Sequence, residues 1–212
     1  MSDRLQPTTD DVLLVIDVQN DFCPGGALEV AEGDAVIPII NRLAPAFAHV
    51  VLTQDWHPAG HSSFASSHPG KAPYDGIEMP YGPQILWPDH CIRNTPGAAF
   101  HDALDIPGAE LVLRKGFRRD IDSYSAFFEN DHETPTGLAG YLRERELKRV
   151  LLCGLALDFC VRFSAEDAKK AGFETLVIAD ATRAVDLPGT VAAARAGFRA
   201  ADIPMTDSDR II

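Results

Sequence analysis

"LLCGLALDFCVRFSAEDAKKAG", Leu151–Gly172, is the stretch on which the reading of the fold turns. Its opening residues belong to an apolar run without polar alternation, the pattern of a parallel strand buried on both faces. The run breaks at Gly154 and resumes with helical character, so one strand passes straight into one helix. Cys160 sits where that helix begins. A cysteine is most often a small buried hydrophobe, as Cys153 inside the strand reads. In the first turn of a helix, unsatisfied N–H groups and the helix dipole instead favour its thiolate.

The same alternation recurs outward in both directions. Val12–Ile16 is a compact apolar run ending at Asp17, and Val36, Ile40, Leu43 and Phe47 then follow helical spacing. "VVLTQDWHP" (Val50–Pro58) and "ELVLRKG" (Glu110–Gly116) read as the next strands. "GLAGYLRERELKR" (Gly137–Arg149) is an amphipathic helix feeding "RVLLCGL", and "ETLVIADAT" precedes the helical "LPGTVAAARAGF". Strands alternating with helices predict a three-layer α/β/α, doubly wound, mostly parallel sheet. The 212 residues suit a single domain over 1–212. Its one long irregular region, 56–108, is rich in Pro, Gly, Ser and His. A loop of that length inside a domain points to binding or catalysis.

Net charge is −12, which sets phosphate-bearing partners aside: neither nucleic acid nor an anionic membrane is expected. No apolar run approaches the roughly 20 residues of a membrane span. The amino terminus shows no basic segment leading into an apolar one. The four cysteines contain no C-x-x-C pair and read as reduced thiols, so the expected compartment is the cytoplasm.

Ligands of open α/β sheets bind beyond the carboxyl ends of the strands. Asp17 ends the first strand, Asp55 the second and Lys115 the third, and Cys160 follows the fourth. Alone, Asp17 would read as a cap and Lys115 as a solvated strand end. Together they supply a nucleophile, an ammonium that stabilises its anion and a carboxylate that takes its proton. "QDWHPAGHSSF" adds Asp55 and His57, two apart and on one side of an extended chain, with His61 past a turn. "LWPDHC" adds His90. A carboxylate with imidazoles suits Zn²⁺, Fe²⁺ or Mn²⁺. His49, His68, His101 and His132 lack such company and read as solvated or helix-end histidines.

"VIDVQNDFCPGGAL" (Val15–Leu28), "TQDWHPAGHSSFAS" (Thr53–Ser66), "LWPDHC" (Leu86–Cys91), "RKGFRRDIDSYSAF" (Arg114–Phe127) and "CGLALDFCV" (Cys153–Val161) together resemble the bacterial nicotinamidases. These are a branch of the isochorismatase-like cysteine hydrolases, and the resemblance covers nearly the whole chain in order. It implies the isochorismatase-like fold and an amidase acting on linear amides, one that converts nicotinamide to nicotinate and ammonia in NAD salvage. Pyrazinamide is implied as a further substrate. The resemblance puts the catalytic triad on Asp17, Lys115 and Cys160, and the oxyanion hole on the backbone N–H groups of Ala156 and Cys160. Phe22, Trp87 and Tyr124 would wall the pyridine ring. One divalent ion, zinc first with iron or manganese as alternatives, would sit on Asp55, His57 and His90, with His61 as the additional histidine of some members. A non-proline cis peptide would join Leu155 to Ala156, and a homo-oligomer is compatible with the family. Leu157 departs from the small hydroxyl residue of many members, and Arg118–Asp122 is an insertion expected at the pocket mouth. Two rival readings stay open: hydrolysis at the metal with Cys160 only packing, and a non-catalytic metal-binding scaffold.

Overall fold

The computed structural model describes residues 4–211. Six strands form one sheet: β1 (Asp11–Ile16), β2 (His49–Asp55), β5 (Leu111–Lys115), β6 (Arg149–Leu155), β7 (Glu174–Arg183) and β8 (Met205–Thr206). Their order is β5-β2-β1-β6-β7-β8, and every neighbouring pair is parallel. The central strand β1 shows why these runs lack alternation. Leu13 and Val15 pack on one face against Ile37, Ile40 and Leu43 of helix α1 (Ile37–Leu43). Val12, Leu14 and Ile16 pack on the other, against α2 (Leu138–Glu144), α3 (Arg162–Lys170) and α4 (Thr190–Ala200). Both faces are dry, so apolar residues occupy every position. This is the expected three-layer α/β/α architecture.

The chain order reverses at β1, with β2 on one side and β6 on the other. That switch point puts the carboxyl ends of β1, β2, β5 and β6 around one place. Gly154, near the end of β6, has φ +102°, and a Cβ there would be driven into the Ile16 carbonyl of β1. Only glycine allows this approach. The expected cis peptide joins Leu155 to Ala156.

The helix expected to begin at Cys160 begins two residues later. The Ala156 carbonyl accepts N–H groups from both Phe159 (3.1 Å) and Val161 (3.0 Å). The second of these bonds spans five residues, so Leu157–Val161 forms a wide π-type turn and α3 starts at Arg162. Helix α2 is also shorter than its amphipathic stretch. Glu146 turns left-handed (φ 59°), and the Leu147 N–H closes back on the Leu142 carbonyl.

The long irregular region lies over the carboxyl edge and is tied down by short pairings, His57 with Ile92 and Phe64 with Trp87. It also contains an element the sequence did not announce, an antiparallel hairpin of β3 (Gly76–Met79) and β4 (Gly82–Ile85). Among the described residues no helix is long and apolar enough to cross a membrane. Cys23, Cys91, Cys153 and Cys160 are all free and buried.

Candidate active site

Asp17 leaves β1 in a left-handed conformation (φ 46°), which turns it away from the strand path. Its Oδ1 accepts a 2.6 Å bond from the Thr53 hydroxyl, and its N–H donates to the same hydroxyl at 3.2 Å. Lys115, at the end of β5, is 1 % exposed. Its Nζ lies 2.8 Å from Asp17 Oδ2 and 3.4 Å from Cys160 Sγ, and donates to the Ser123 carbonyl at 3.0 Å. It also ion-pairs with Asp55. Oxygens of Asp17 and Asp55 and the sulfur of Cys160 all fall within 4.8 Å of one another. The three residues expected as a triad therefore converge on one buried ammonium.

Their electrostatics follow from that burial. Desolvation raises the Asp17 carboxyl above its usual range, although Lys115 pulls it down. Burial also opposes the charge on Lys115, but Asp17 and Asp55 hold its ammonium well above the normal value. For Cys160 burial dominates: it lifts the thiol well above its ordinary value, Lys115 pulls down, and Asp17 and Asp55 push further up. The sulfur anion therefore depends on a base to take its proton, the part expected of Asp17.

Next to Lys115, Asp55 faces two imidazoles. His57 Nδ1 contacts the Gly116 carbonyl at 2.8 Å, and His90 Nδ1 the Pro88 carbonyl at 2.8 Å. A carbonyl can only accept, so both Nδ1 atoms carry a proton, and a neutral ring then presents its Nε2 lone pair. Those Nε2 atoms lie 3.6 Å and 3.8 Å from Asp55 Oδ2, too far for hydrogen bonds. Ligands bound to one ion at about 2.0–2.2 Å stand roughly 3.4 Å apart in a tetrahedron. Two imidazoles fixed by backbone carbonyls and aimed with a carboxylate at one point make a donor set that fits a divalent metal. Burial would raise the Asp55 carboxyl, but Lys115 and His57 hold it well below the usual range, as a ligand requires.

His61 stands beside this trio rather than in it. Its ring centroid is 4.5 Å from that of His57. Its Nδ1 accepts the Ser63 N–H at 3.2 Å and contacts the Ser63 hydroxyl at 2.7 Å, while Nε2 lies 3.1 Å from the Ile121 carbonyl. Nε2 therefore carries the proton in this arrangement, while donor atoms of His61, His57 and Asp122 also fall within 4.8 Å of one another. Among the other histidines, His49 pairs with Glu110 at 3.1 Å at the surface, as expected for a solvated group.

Cys160 and Ala156 line a small cavity with Asp55, His57, His90 and the three expected aromatics, Phe22, Trp87 and Tyr124. Trp87 Nε1 donates to Tyr124 Oη at 3.0 Å, and the two rings meet edge to face. Sequence reasoning missed four lining residues, Leu28, Val185 and the two that follow. Phe159, whose ring meets that of Trp87 at 4.8 Å, precedes Cys160 in the π-type turn, and that adjacency was the available signal. Asp122, the last residue of the insertion, is the other. The insertion is stitched to the His61 loop, its Arg119 carbonyl accepting the Ser62 N–H at 2.9 Å. Leu157 packs into the core between the sheet and α3, away from any polar role.

Residues 11–209 match the family described as the isochorismatase domain, and the chain belongs to that family. Within it, the chain is 54 % identical over 188 residues to a nicotinamidase of Acinetobacter baylyi, covering 89 % of this chain and 88 % of that protein. Among solved structures it is similar to a nicotinamidase/pyrazinamidase of Acinetobacter baumannii, with TM-score 0.94, 52 % identity, and coverage of 95 % of this chain and 98 % of that one. A pyrazinamidase of Pyrococcus horikoshii in complex with zinc aligns with TM-score 0.75 and 35 % identity, over 93 % of this chain and 99 % of its own.

Proposed function

We propose that the chain is a nicotinamidase of NAD salvage, hydrolysing nicotinamide to nicotinate and ammonia through a thioester on Cys160. The observation that carries this reading is the Lys115 ammonium, 2.8 Å from Asp17 and 3.4 Å from Cys160, behind a cavity that also holds Asp55, His57 and His90. We take residues 1–212 as one catalytic domain. An acidic chain whose cysteines are all unpaired suits a reducing compartment, and we take that to be the cytoplasm.

In the resting site the thiol keeps its proton. When substrate enters, the Cys160 Sγ–H proton passes to Asp17, and the sulfur anion forms beside Lys115 and attacks the carboxamide carbon. The carbonyl π electrons move onto oxygen, where N–H groups of Ala156 and Cys160 stabilise the anion. In other enzymes, loss of one such donor costs about 3–4 kcal/mol. Asp17 returns the proton to the amide nitrogen, the C–N bond breaks, and ammonia leaves a thioester. Asp17 then deprotonates water, which adds to the thioester carbon; the C–S bond breaks, nicotinate departs and Cys160 regains its proton.

Phe22 and Trp87 hold the ring faces and Tyr124 closes the side. Asp55, His57 and His90 would hold a divalent ion, zinc by the donor set, supplying an electrophilic anchor for the ring nitrogen. A ring with a second nitrogen keeps the same shape, so pyrazinamide is a further substrate. The rival reading, hydrolysis at the metal with Cys160 as packing, is separated by one experiment. Ammonia release from nicotinamide is measured for the parent and for Cys160→Ala with equal metal content. Loss of turnover in the variant and a trapped acyl-enzyme in the parent support the thioester; retained turnover rejects it.

A further inference from the structure

We propose that Gln84, on the β3–β4 hairpin, is a positioning residue for the substrate pocket, holding Tyr124 and through it Trp87 at the spacing a pyridine ring needs. The inference rests on the nicotinamidase reading and adds a residue that touches no substrate.

The hairpin is otherwise an exposed or half-buried ribbon; Gln84 is its one buried side chain, at 2 % exposure. A buried primary amide must find partners or carry a cost. The two N–H bonds of Gln84 Nε2 are shared among three acceptors, Tyr124 Oη at 2.8 Å, Asp122 Oδ2 at 3.1 Å and the Ile85 carbonyl at 2.7 Å. Its Oε1 accepts from Asn130 Nδ2 at 3.1 Å and Tyr81 Oη at 3.3 Å. The amide orientation is fixed by these partners, since the flipped form would set an oxygen against both Asp122 Oδ2 and a carbonyl.

Tyr124 is consequently held at both ends. Its hydroxyl receives Gln84 and Trp87 Nε1, and its backbone N–H donates to Asn130 Oδ1 at 2.9 Å. Asn130 is itself held by Gln84. Tyr124, Trp87 and Asp122 face the cavity, whereas Gln84 lies behind them on the wall of a neighbouring groove. The ion pair of Lys115 with Asp17 and its hydrogen bonds to Asp55, the Ser123 carbonyl and Cys160 share no atom with this network. Loss of the amide should therefore loosen the ring pocket, which substrate must then order at the expense of affinity, and spare the chemistry at sulfur.

The test is a double-mutant cycle on the metal-loaded enzyme: Gln84→Ala, Tyr124→Phe and both together, with nicotinamide kinetics, nicotinate binding by calorimetry and thermal melts. Gln84→Ala is expected to raise KM and the nicotinate Kd about tenfold with kcat within about threefold, a split that marks lost binding rather than lost chemistry. In the Tyr124→Phe background the same change should add less than about twofold, because the two residues act as one unit. A full effect in that background, an unchanged KM, or a fall in kcat alone overturns the inference. If Gln84→Ala does not fold, Gln84→Asn, which keeps an amide but draws it back from Tyr124, runs the same cycle. A parent enzyme that neither releases ammonia from nicotinamide nor binds nicotinate overturns the proposed function itself, and the role of Gln84 with it. An active parent with additive variants overturns only the latter.

Discussion

Thr53 and Asp17 are joined twice, the threonine hydroxyl donating to Asp17 Oδ1 at 2.6 Å and accepting the Asp17 N–H at 3.2 Å. The pairing commits Oδ1 to Thr53 and leaves Oδ2 for Lys115, 2.8 Å away, and for the proton of Cys160. A hydrogen bond to an ionised group contributes about 1.5–3 kcal/mol. Thr53→Val, equal in volume but without the hydroxyl, should lower kcat by roughly tenfold to a hundredfold. Thr53→Ser should restore most of it. Steady-state kinetics of the two variants side by side check this; a loss in Thr53→Ser as large as that in Thr53→Val would mean that the hydroxyl does not carry the effect.

Among the described residues Lys115 is the one lysine or arginine that ion-pairs with Asp17 and Asp55, and all three side chains are buried. Removing one partner of a buried ion pair leaves an uncompensated charge and costs about 3–5 kcal/mol. Lys115→Met should therefore lose activity and unfold at markedly lower urea. Adding Asp17→Asn removes one of the stranded carboxylates, so the double variant should be more stable than Lys115→Met alone while remaining inactive. Urea midpoints of the three proteins decide it. A double variant less stable than either single one would deny that charge balance holds these side chains in place.

Much of this arrangement could be read from the chain. Val12–Ile16 and Leu151–Leu155 declare themselves as strands dry on both faces, and the βα order then gathers Asp17, Asp55, Lys115 and Cys160 at one edge without any contact being known. What escaped depends on partners distant in sequence. The π-type turn at Leu157–Val161 hinges on where the Ala156 carbonyl points. The hairpin at 76–85 mostly faces solvent, so its pattern is weak, and its one inward residue answers to Tyr124 and Asp122 some forty positions on. The protonation of Cys160 is set by desolvation and by two carboxylates from other strands, which local sequence does not contain.

The nitrogens of the histidines separate ligands from neighbours. His57 and His90 spend Nδ1 on backbone carbonyls and keep Nε2 free, whereas His61 spends both nitrogens on Ser63 and Ile121. His57→Ala and His90→Ala should each lose the bound ion after dialysis, falling from about one ion per chain towards none. His61→Ala should retain it. Elemental analysis of the dialysed proteins reads this directly, without reference to turnover. Metal lost equally from all three variants would make His61 a ligand and require its ring to turn.

Asp167, on α3, carries a pH dependence of folding that lies outside the active site. Burial raises its carboxyl above the ordinary value, with Ser125, His132 and Lys170 pulling down and Glu166 pushing up, and its Oδ2 is buried without a hydrogen-bond partner. Between the unfolded and the folded value the native state binds more protons than the unfolded chain, so stability falls as pH rises through that window. Below the unfolded value, near 4, both states are protonated and the contribution is complete. Above the folded value the native protein must hold a poorly solvated anion. Asp167→Asn removes that burden, and its stability relative to the parent should therefore be greater at pH 7 than at pH 4. Urea midpoints of both proteins at the two pH values measure it. A difference that stays constant, or that favours the parent more at pH 7, would mean that the ionised carboxylate is welcomed by its surroundings after all.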